Sequence, residues 1–284
     1  MPPRRPAITR RRFLTSVGAA ALATGLYTWR VEPHWLEITY RELRLPHLPS
    51  DLNGRTLVQI SDLHIGQQVS DDYLLSAFAR VRELRPDFVV HTGDLVTFDS
   101  PSVQTQAEKV MADFPTGRLG TFGILGNHDY GSNWNLTHIA HANAAILARA
   151  GCLPLRNTLT ESHGLIFAGL DDYWSPNFAP EKVLRNLPHN RAIIVMSHNP
   201  DTCDLPGLWD DFQGWVLAGH THGGQCKPPF LPPPLLPVKN KRYTAGAFAF
   251  GPGRQVYINR GVGHLLQVRF NVRPEITCFT LRPA

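Results

Sequence analysis

Apolar runs of four or five residues recur along the chain, and each ends abruptly in a polar segment. Thr56-Leu57-Val58-Gln59-Ile60, Phe88-Val89-Val90, Thr121-Phe122-Gly123-Ile124-Leu125, Leu165-Ile166-Phe167-Ala168-Gly169, Ala192-Ile193-Ile194-Val195-Met196 and Trp215-Val216-Leu217-Ala218 are of this kind. Such short runs, rich in branched and aromatic residues, predict buried strands. Between them the spacing turns helical. Tyr73, Leu74, Ala77, Phe78, Val81 and Leu84 share one face of a helix predicted over 71–84, which Pro86 stops. Helices are also predicted over roughly 102–113 and 135–150, the latter ended by Gly151. Upstream, Leu36, Ile38 and Tyr40 alternate as in a half-buried first strand. Residues 246–260 and 264–281 are expected as closing strands, with a turn around Gly261 and Gly263. Repeated strand-then-helix units predict an α/β fold.

The polar segments after the strands carry the chemistry. In order they are Asp62-Leu63-His64, Gly93-Asp94, Gly126-Asn127-His128-Asp129, Ser197-His198 and Gly219-His220-Thr221-His222. Together they supply three carboxylates, one amide and five imidazoles, the inventory that two divalent cations in one site need. Any one segment is weak. All five lie just past a predicted strand, at the sheet edge where functional loops gather, which argues for one domain with one site on its rim. Asp171, Asp172, Tyr173 and Trp174 also follow a strand. They read equally well as a substrate groove or as an acidic turn with aromatic packing. The eight other histidines, His34, His47, His91, His138, His141, His163, His189 and His264, are expected on the surface or in packing.

Composition narrows the classes. With 284 residues, 43% hydrophobic and 18% charged, the chain can bury a sizeable core. Six of its 28 basic residues lie in residues 1–30, which hold no acid, leaving 22 basic against 23 acidic residues beyond, a net of −1. A basic nucleic-acid footprint across the domain is therefore not supported, and no nucleic-acid partner is favoured. Cys152, Cys203, Cys226 and Cys278 form no C-x-x-C pair and are expected mostly as buried free thiols. Pro228–Pro237 holds six prolines in ten residues and is expected as a stiff surface connection.

The N-terminus has a separate meaning. Thr9-Arg10-Arg11-Arg12-Phe13-Leu14 resembles a twin-arginine export signal. The apolar stretch that follows, to about Tyr27, is shorter than the roughly 20 residues that span a bilayer. Ala21-Leu22-Ala23 is a candidate cleavage site, so cleavage and retention as an anchor both stay open. The alternative is a basic tail before a small buried helix. The expected layout is a twin-arginine signal or membrane anchor over 1–30, a linker and first strand over 31–50, and a catalytic domain over 51–284. The twin-arginine machinery is an expected partner, and the expected location is the periplasm or the outer face of the cytoplasmic membrane.

The five segments together resemble those of the calcineurin-like metallophosphoesterases. Gly219-His220-Thr221-His222-Gly223-Gly224-Gln225 and a tail containing Asn259-Arg260-Gly261-Val262-Gly263, Val268-Arg269-Phe270 and Arg273-Pro274-Glu275-Ile276 resemble a bacterial branch of exported or membrane-associated phosphodiesterases. The resemblance implies two packed mixed β-sheets flanked by helices, a four-layer sandwich. It implies two divalent metal ions (manganese, zinc, iron or cobalt), one held by Asp62, His64, Asp94 and His222, the other by Asp94, Asn127, His198 and His220, with Asp94 as the bridge. It implies attack on a phosphate ester by a hydroxide held between the cations. His128 would protonate the leaving oxygen or stabilise the transition state, and Asp129 would orient it. A phosphodiesterase is the first expectation, with a lipid-linked substrate left open. A nucleotide-lipid pyrophosphatase comes second. A non-catalytic exported metal-binding protein is disfavoured, because structural sites usually use closed cysteine or histidine sets.

Overall fold

The computed structural model describes residues 9–185, 187–209 and 212–284. The chain begins with helix α1 (Arg10–Leu26) and then builds a first sheet from β1 (Glu37–Leu45), β2 (Thr56–Ile60), β3 (Phe88–Thr92), β4 (Gly120–Ile124) and β5 (Leu153–Pro154). Helices α2 (Asp71–Glu83), α3 (Pro101–Met111) and α4 (Thr137–Arg149) connect these strands. A second sheet takes β6 (Thr158–Ser162), β7 (Leu165–Gly169), β8 (Ala192–Met196), β9 (Gly214–Ala218), β10 (Gly246–Gly251) and β11 (Arg254–Ile258), with the short helix α5 (Glu181–Leu184) before β8. The last strand, β12 (Glu275–Pro283), returns to the first sheet.

Both sheets are mixed. The first has the order β1-β12-β2-β3-β4-β5 and the second β10-β11-β9-β8-β7-β6. β2, β3, β4 and β5 run parallel, as do β7, β8, β9 and β11. All their C-terminal ends therefore lie on one edge of each sheet.

The side-chain period of two sorts each strand between two cores. Leu57, Phe88, Val90, Phe122 and Ile124 face the second sheet, meeting Leu165, Phe167, Ile194, Met196 and Leu217. Phe122 stacks on Phe167 with centroids 4.3 Å apart. The alternate residues Val58, Ile60 and Val89 face outward and pack under α2, α3 and α4. α2 offers Leu74, Ala77, Phe78 and Val81 as its buried stripe, and Ser70 caps it by accepting from Tyr73 N. On the far side, Ile193, Val195, Val216 and Val256 pack with Val183, Trp209 and Phe212. Each buried side chain of this size contributes about 1.5–3 kcal/mol. The expected two-sheet α/β sandwich is thus present. Its second outer layer is built mainly of loops around α5.

Three expectations need correction. The closing strand expected over 264–281 starts only at Glu275, because residues 259–274 form an irregular loop wound around the buried guanidinium of Arg269. That guanidinium donates to the carbonyls of Arg260, Gly261, Gly263 and Val272. β5 and β6 were not expected: the first has two residues, and the second alternates weakly at the surface. The alternative of a small buried N-terminal helix fails, since α1 has no buried residue. No helix among the described residues is long and apolar enough to cross a membrane. The first eight residues of the expected 1–30 segment lie outside the described residues.

Candidate metal centre

The two sheets meet at their C-terminal edges, and hydrogen bonds fix the loops there. Asp62 N donates to Gly93 O, His64 N to Asp94 O, and Gly219 N to His198 O. The Asp62 carboxylate accepts from His220 N at 3.0 Å and so joins the sheets across the site. Below it, Gln59 of the first sheet donates to Ala218 O of the second at 2.9 Å.

Two glycines are dictated by close approach. A Cβ at Gly126 would collide with Asp94 Oδ1 and come within 2.7 Å of His198 Nε2. A Cβ at Gly219 would collide with Ser61 Oγ and Asp62 Oδ2. The candidate ligand residues themselves are strained. Asp62, His64, Asp94, His220 and His222 all have φ between 48° and 70°, a left-handed conformation that costs a non-glycine residue roughly 1–2 kcal/mol. Five such residues around one point indicate a backbone bent to aim side chains inward.

They converge in two buried groups, Asp62–His64–His222 and Asp94–His198–His220. In the first, His64 Nε2 lies 3.0 Å from His222 Nε2, which is 3.3 Å from Asp62 Oδ1. In the second, His198 Nε2 lies 3.1 Å from Asp94 Oδ2. The same Oδ2 is 3.6 Å from His64 Nε2, so one carboxylate oxygen faces both groups. Asp94 Oδ1 is fixed by the His128 amide at 2.9 Å.

These residues fit a pair of cations. Asn127 Oδ1 is buried with no hydrogen-bond partner, a costly state for a polar atom in a protein of this packing, and His64 Nε2 and His198 Nε2 both face the Asp94 carboxylate. His198 Nδ1 is engaged by Thr92 O at 2.8 Å and His220 Nε2 by Pro237 O at 2.8 Å. A carbonyl only accepts, so His198 Nδ1 and His220 Nε2 each carry a proton and leave the ring's other nitrogen as the one available to a cation, as in metal-bound histidines. Electrostatics agree. Burial, aided by His222 and His128, holds His64 well below the usual imidazole range, and burial with His198 brings His220 to about 3. Both rings are therefore neutral ligands. Burial opposes ionisation of Asp94, but His198, His128 and His64 outweigh it and hold the carboxyl well below its usual range. Despite burial, Asp94, Asp62 and Asp172 raise His198 to about 10. The carboxylates demand positive charge, which cations would supply.

His128 stands at the side of the first group, its ring edge-on to His64 with centroids 5.1 Å apart. Its Nδ1 is 3.1 Å from Thr97 O. The role expected for Asp129 is corrected here. Its oxygens accept from the amides of Leu95, Val96 and Gly126, so Thr97 O orients His128, while Asp129 ties together the loops that carry Asp94 and Asn127.

The Asp171-Asp172 pair divides. Asp171 is consumed by Tyr130, Arg156 and Asn157. Asp172 is buried, with Oδ2 unpaired, and burial raises it to about 6 against the pull of His198. Sequence reasoning gave no role to Arg269, which is fully buried and lies 3.4 Å from His222 Nδ1. An arginine between Val268 and Phe270 was its only signal. Pro237, at the end of the proline-rich loop, touches His220, so that loop is a surface connection with one end at the site. His91 is buried against Phe114, as a packing residue. All four cysteines are free, and Cys152, Cys203 and Cys278 are buried.

A two-sheet α/β sandwich with two ligand groups meeting at one carboxylate defines a dinuclear metallohydrolase. The chain belongs to the calcineurin-like phosphoesterase family, which it matches over residues 55–224. It is 33% identical to the phosphodiesterase YaeI of Escherichia coli, over 96% of this chain and 99% of that one. It is 31% identical to the uncharacterized metallophosphoesterase YkuE of Bacillus subtilis, over 97% and 98%. It is 27% identical to the UDP-2,3-diacylglucosamine pyrophosphatase LpxG of Chlamydia muridarum, over 93% and 94%. Members of this family use divalent metals, and the two ligand groups are in place for them.

Proposed function

We propose that the protein is a dinuclear-metal-dependent phosphodiesterase that acts outside the cytoplasm. The observation that carries the reading is Asp94 Oδ2, which faces His64 and His198 at once. The first cation would be held by Asp62, His64, Asp94 and His222, the second by Asp94, Asn127, His198 and His220. When bound, the cations supply Lewis acidity toward the phosphoryl group and an activated water at neutral pH. The chain's own residues do the rest. Asp94 is held ionised by the surrounding histidines. The amide of His128 fixes Oδ1 and leaves Oδ2 for ligation. Because Thr97 O only accepts, Nδ1 of His128 carries a proton. Nε2 then donates a proton to the leaving oxygen as the imidazolium, a step general acids accelerate by about 10²–10⁴-fold.

The relationship to LpxG over 93% of the chain favours a second reading, a pyrophosphatase of a nucleotide-linked lipid. Export rests on Thr9–Leu14 and on α1, whose Phe13, Leu14, Val17 and Leu22 are all at least half exposed. That is the state of an apolar helix meant for a membrane or for removal.

The test is hydrolysis of an aryl phosphodiester and an aryl phosphomonoester after chelation, with manganese or zinc restored, beside His128→Ala. Metal-dependent turnover faster on the diester, with kcat reduced about 10²–10⁴-fold in the variant and both metals retained, is expected. Turnover unaffected by chelation would overturn the reading.

A further inference from the structure

The Trp134–Trp174 pair at the rim of the centre has no part in holding metals, yet it touches a ligand. Trp174 sits edge-on to His220 with centroids 4.6 Å apart and an interplanar angle of 80°. Trp134 stacks on Trp174 at 4.7 Å and 26°. Two indoles thus run outward from the second ligand group. The inner one is anchored, because Trp174 N donates to the buried Asp172 carboxylate at 2.9 Å. The outer one is 38% exposed. Of the other described tryptophans, Trp209 and Trp215 are buried, and Trp29 and Trp35 lie in the N-terminal segment.

The turn that carries Trp134 is bent at a cost. Asn133 and Trp134 are consecutive left-handed residues, with φ of 57° and 58°; asparagine tolerates this conformation, but for Trp134 it costs roughly 1–2 kcal/mol. Gly131, also left-handed, packs on Asp99, whose carboxylate accepts from Ser132 N and Oγ. Trp134 N closes the turn on Gly131 O at 3.0 Å. This turn directly continues the one that carries Asn127 and His128. Burial does not account for a strained turn ending in a half-open indole, whereas placement of that indole does.

Resting on the phosphoesterase reading, we propose that Trp134 is a stacking platform for the planar base of a nucleoside phosphate whose phosphoryl group lies at the metal centre. An indole with one face backed by a second ring is rigid and loses little entropy on binding. A base stacked on an aromatic side chain gains about 1–3 kcal/mol whatever its hydrogen-bonding edge. The platform therefore selects nucleoside esters over alkyl or sugar esters without selecting the base.

The test uses the manganese-loaded full chain. Inhibition of aryl phosphodiester hydrolysis by AMP, UMP, ribose 5-phosphate and inorganic phosphate is compared, together with quenching of indole fluorescence by each nucleotide. AMP and UMP are expected to bind about tenfold or more tighter than ribose 5-phosphate, with quenching. Trp134→Ala and Trp134→Leu should abolish that ratio while metal content stays at two, and Trp134→Phe should keep most of it. The leucine variant fills the space without a π face, so loss of the ratio there reports stacking and not packing. A wild-type protein with no preference for AMP or UMP over ribose 5-phosphate, or a ratio that survives in both the alanine and leucine variants, overturns the platform alone. Failure of inorganic phosphate and ribose 5-phosphate to compete at all overturns the phosphoesterase reading beneath it.

Discussion

At the scale of single residues, the centre depends on Asp94 more than on any other side chain. Its Oδ2 faces both groups, and its Oδ1 takes the His128 amide. Asp94→Ala should therefore lower metal content from two toward zero and reduce turnover at least as much as His128→Ala does. Elemental analysis after gel filtration checks this, and two tightly held metals in the variant would remove Asp94 as the bridge. Gly126 is a sharper probe, because it supplies no ligand. A methyl group there would collide with Asp94 Oδ1, an overpacking that costs typically 1–3 kcal/mol. Gly126→Ala should weaken metal retention and lower the melting temperature, whereas an unchanged metal content would show that the loop yields. The two candidate groups, Asp62–His64–His222 and Asp94–His198–His220, were legible in the sequence because aspartate and histidine directly after apolar strands have few other reasons to be there. The role of Asp129 was not legible. Its partners are backbone amides of Leu95, Val96 and Gly126, and amides carry no side-chain signature.

At the scale of elements, the parallel strands were readable because both faces of each are covered, which makes them continuous apolar runs. β6 escaped because it lies at a sheet edge, with mostly exposed residues. Residues 264–274 were misread as strand: Leu265, Leu266 and Val268 are exposed, and the segment winds around the Arg269 guanidinium instead of pairing as a pleat. Arg269 is fully buried and satisfies four carbonyls of its own loop. Arg269→Ala would take the donor from the carbonyls of Arg260, Gly263 and Val272, at about 1–3 kcal/mol for each one left buried and unpaired, while Gly261 O keeps the amide of Glu275. It should unfold the loop and release the Asp62–His64–His222 side of the centre. A denaturant midpoint within error of the wild type would sink this account. β12 is joined to both sheets through Glu275, which accepts from Thr39 in β1, Tyr257 in β11 and Arg260 just after it. Burial opposes its charge, but Arg260, Thr39 and Tyr257 hold the carboxyl below its ordinary value. A carboxyl depressed by folding stabilises the native state above its unfolded pKa of about 4.3, and that stabilisation fades as pH falls through the lower folded value. Glu275→Gln should therefore cost about 3 kcal/mol at pH 7. The gap from wild type should narrow as pH drops below about 4. Paired melts from pH 7 to pH 3 check the sign, and a gap that widened on acidification would refute the charge-based account.

At the scale of the whole molecule, the body and the N-terminal helix obey different physics. Both sheets, the three cores and the metal centre close on themselves from Thr28 onward. Arg269 N donates to Thr28 O, and Val272 N donates to the buried Glu32 carboxylate at 2.6 Å. α1 lies outside this closure, with every residue from Arg10 to Leu26 exposed. Its Phe13, Leu14, Val17 and Leu22 contribute nothing to the cores. An apolar helix with no protein partner loses the hydrophobic stabilisation that most helices take from packing, and it recovers it only against a lipid or another protein. Deleting residues 1–26 should therefore change unfolding free energy by no more than about 0.5 kcal/mol, as for surface changes away from packed features. Metal-dependent turnover on a soluble aryl phosphodiester should stay within about twofold, since less than 0.5 kcal/mol of barrier change corresponds to that factor. The same deletion should abolish co-sedimentation with anionic phospholipid vesicles, which Arg10, Arg11, Arg12 and the exposed Phe13, Leu14, Val17 and Leu22 give the full chain in this account. Equal sedimentation of the two proteins would show that α1 has no affinity for a lipid surface. A loss of several kcal/mol on deletion would show instead that α1 packs on the body.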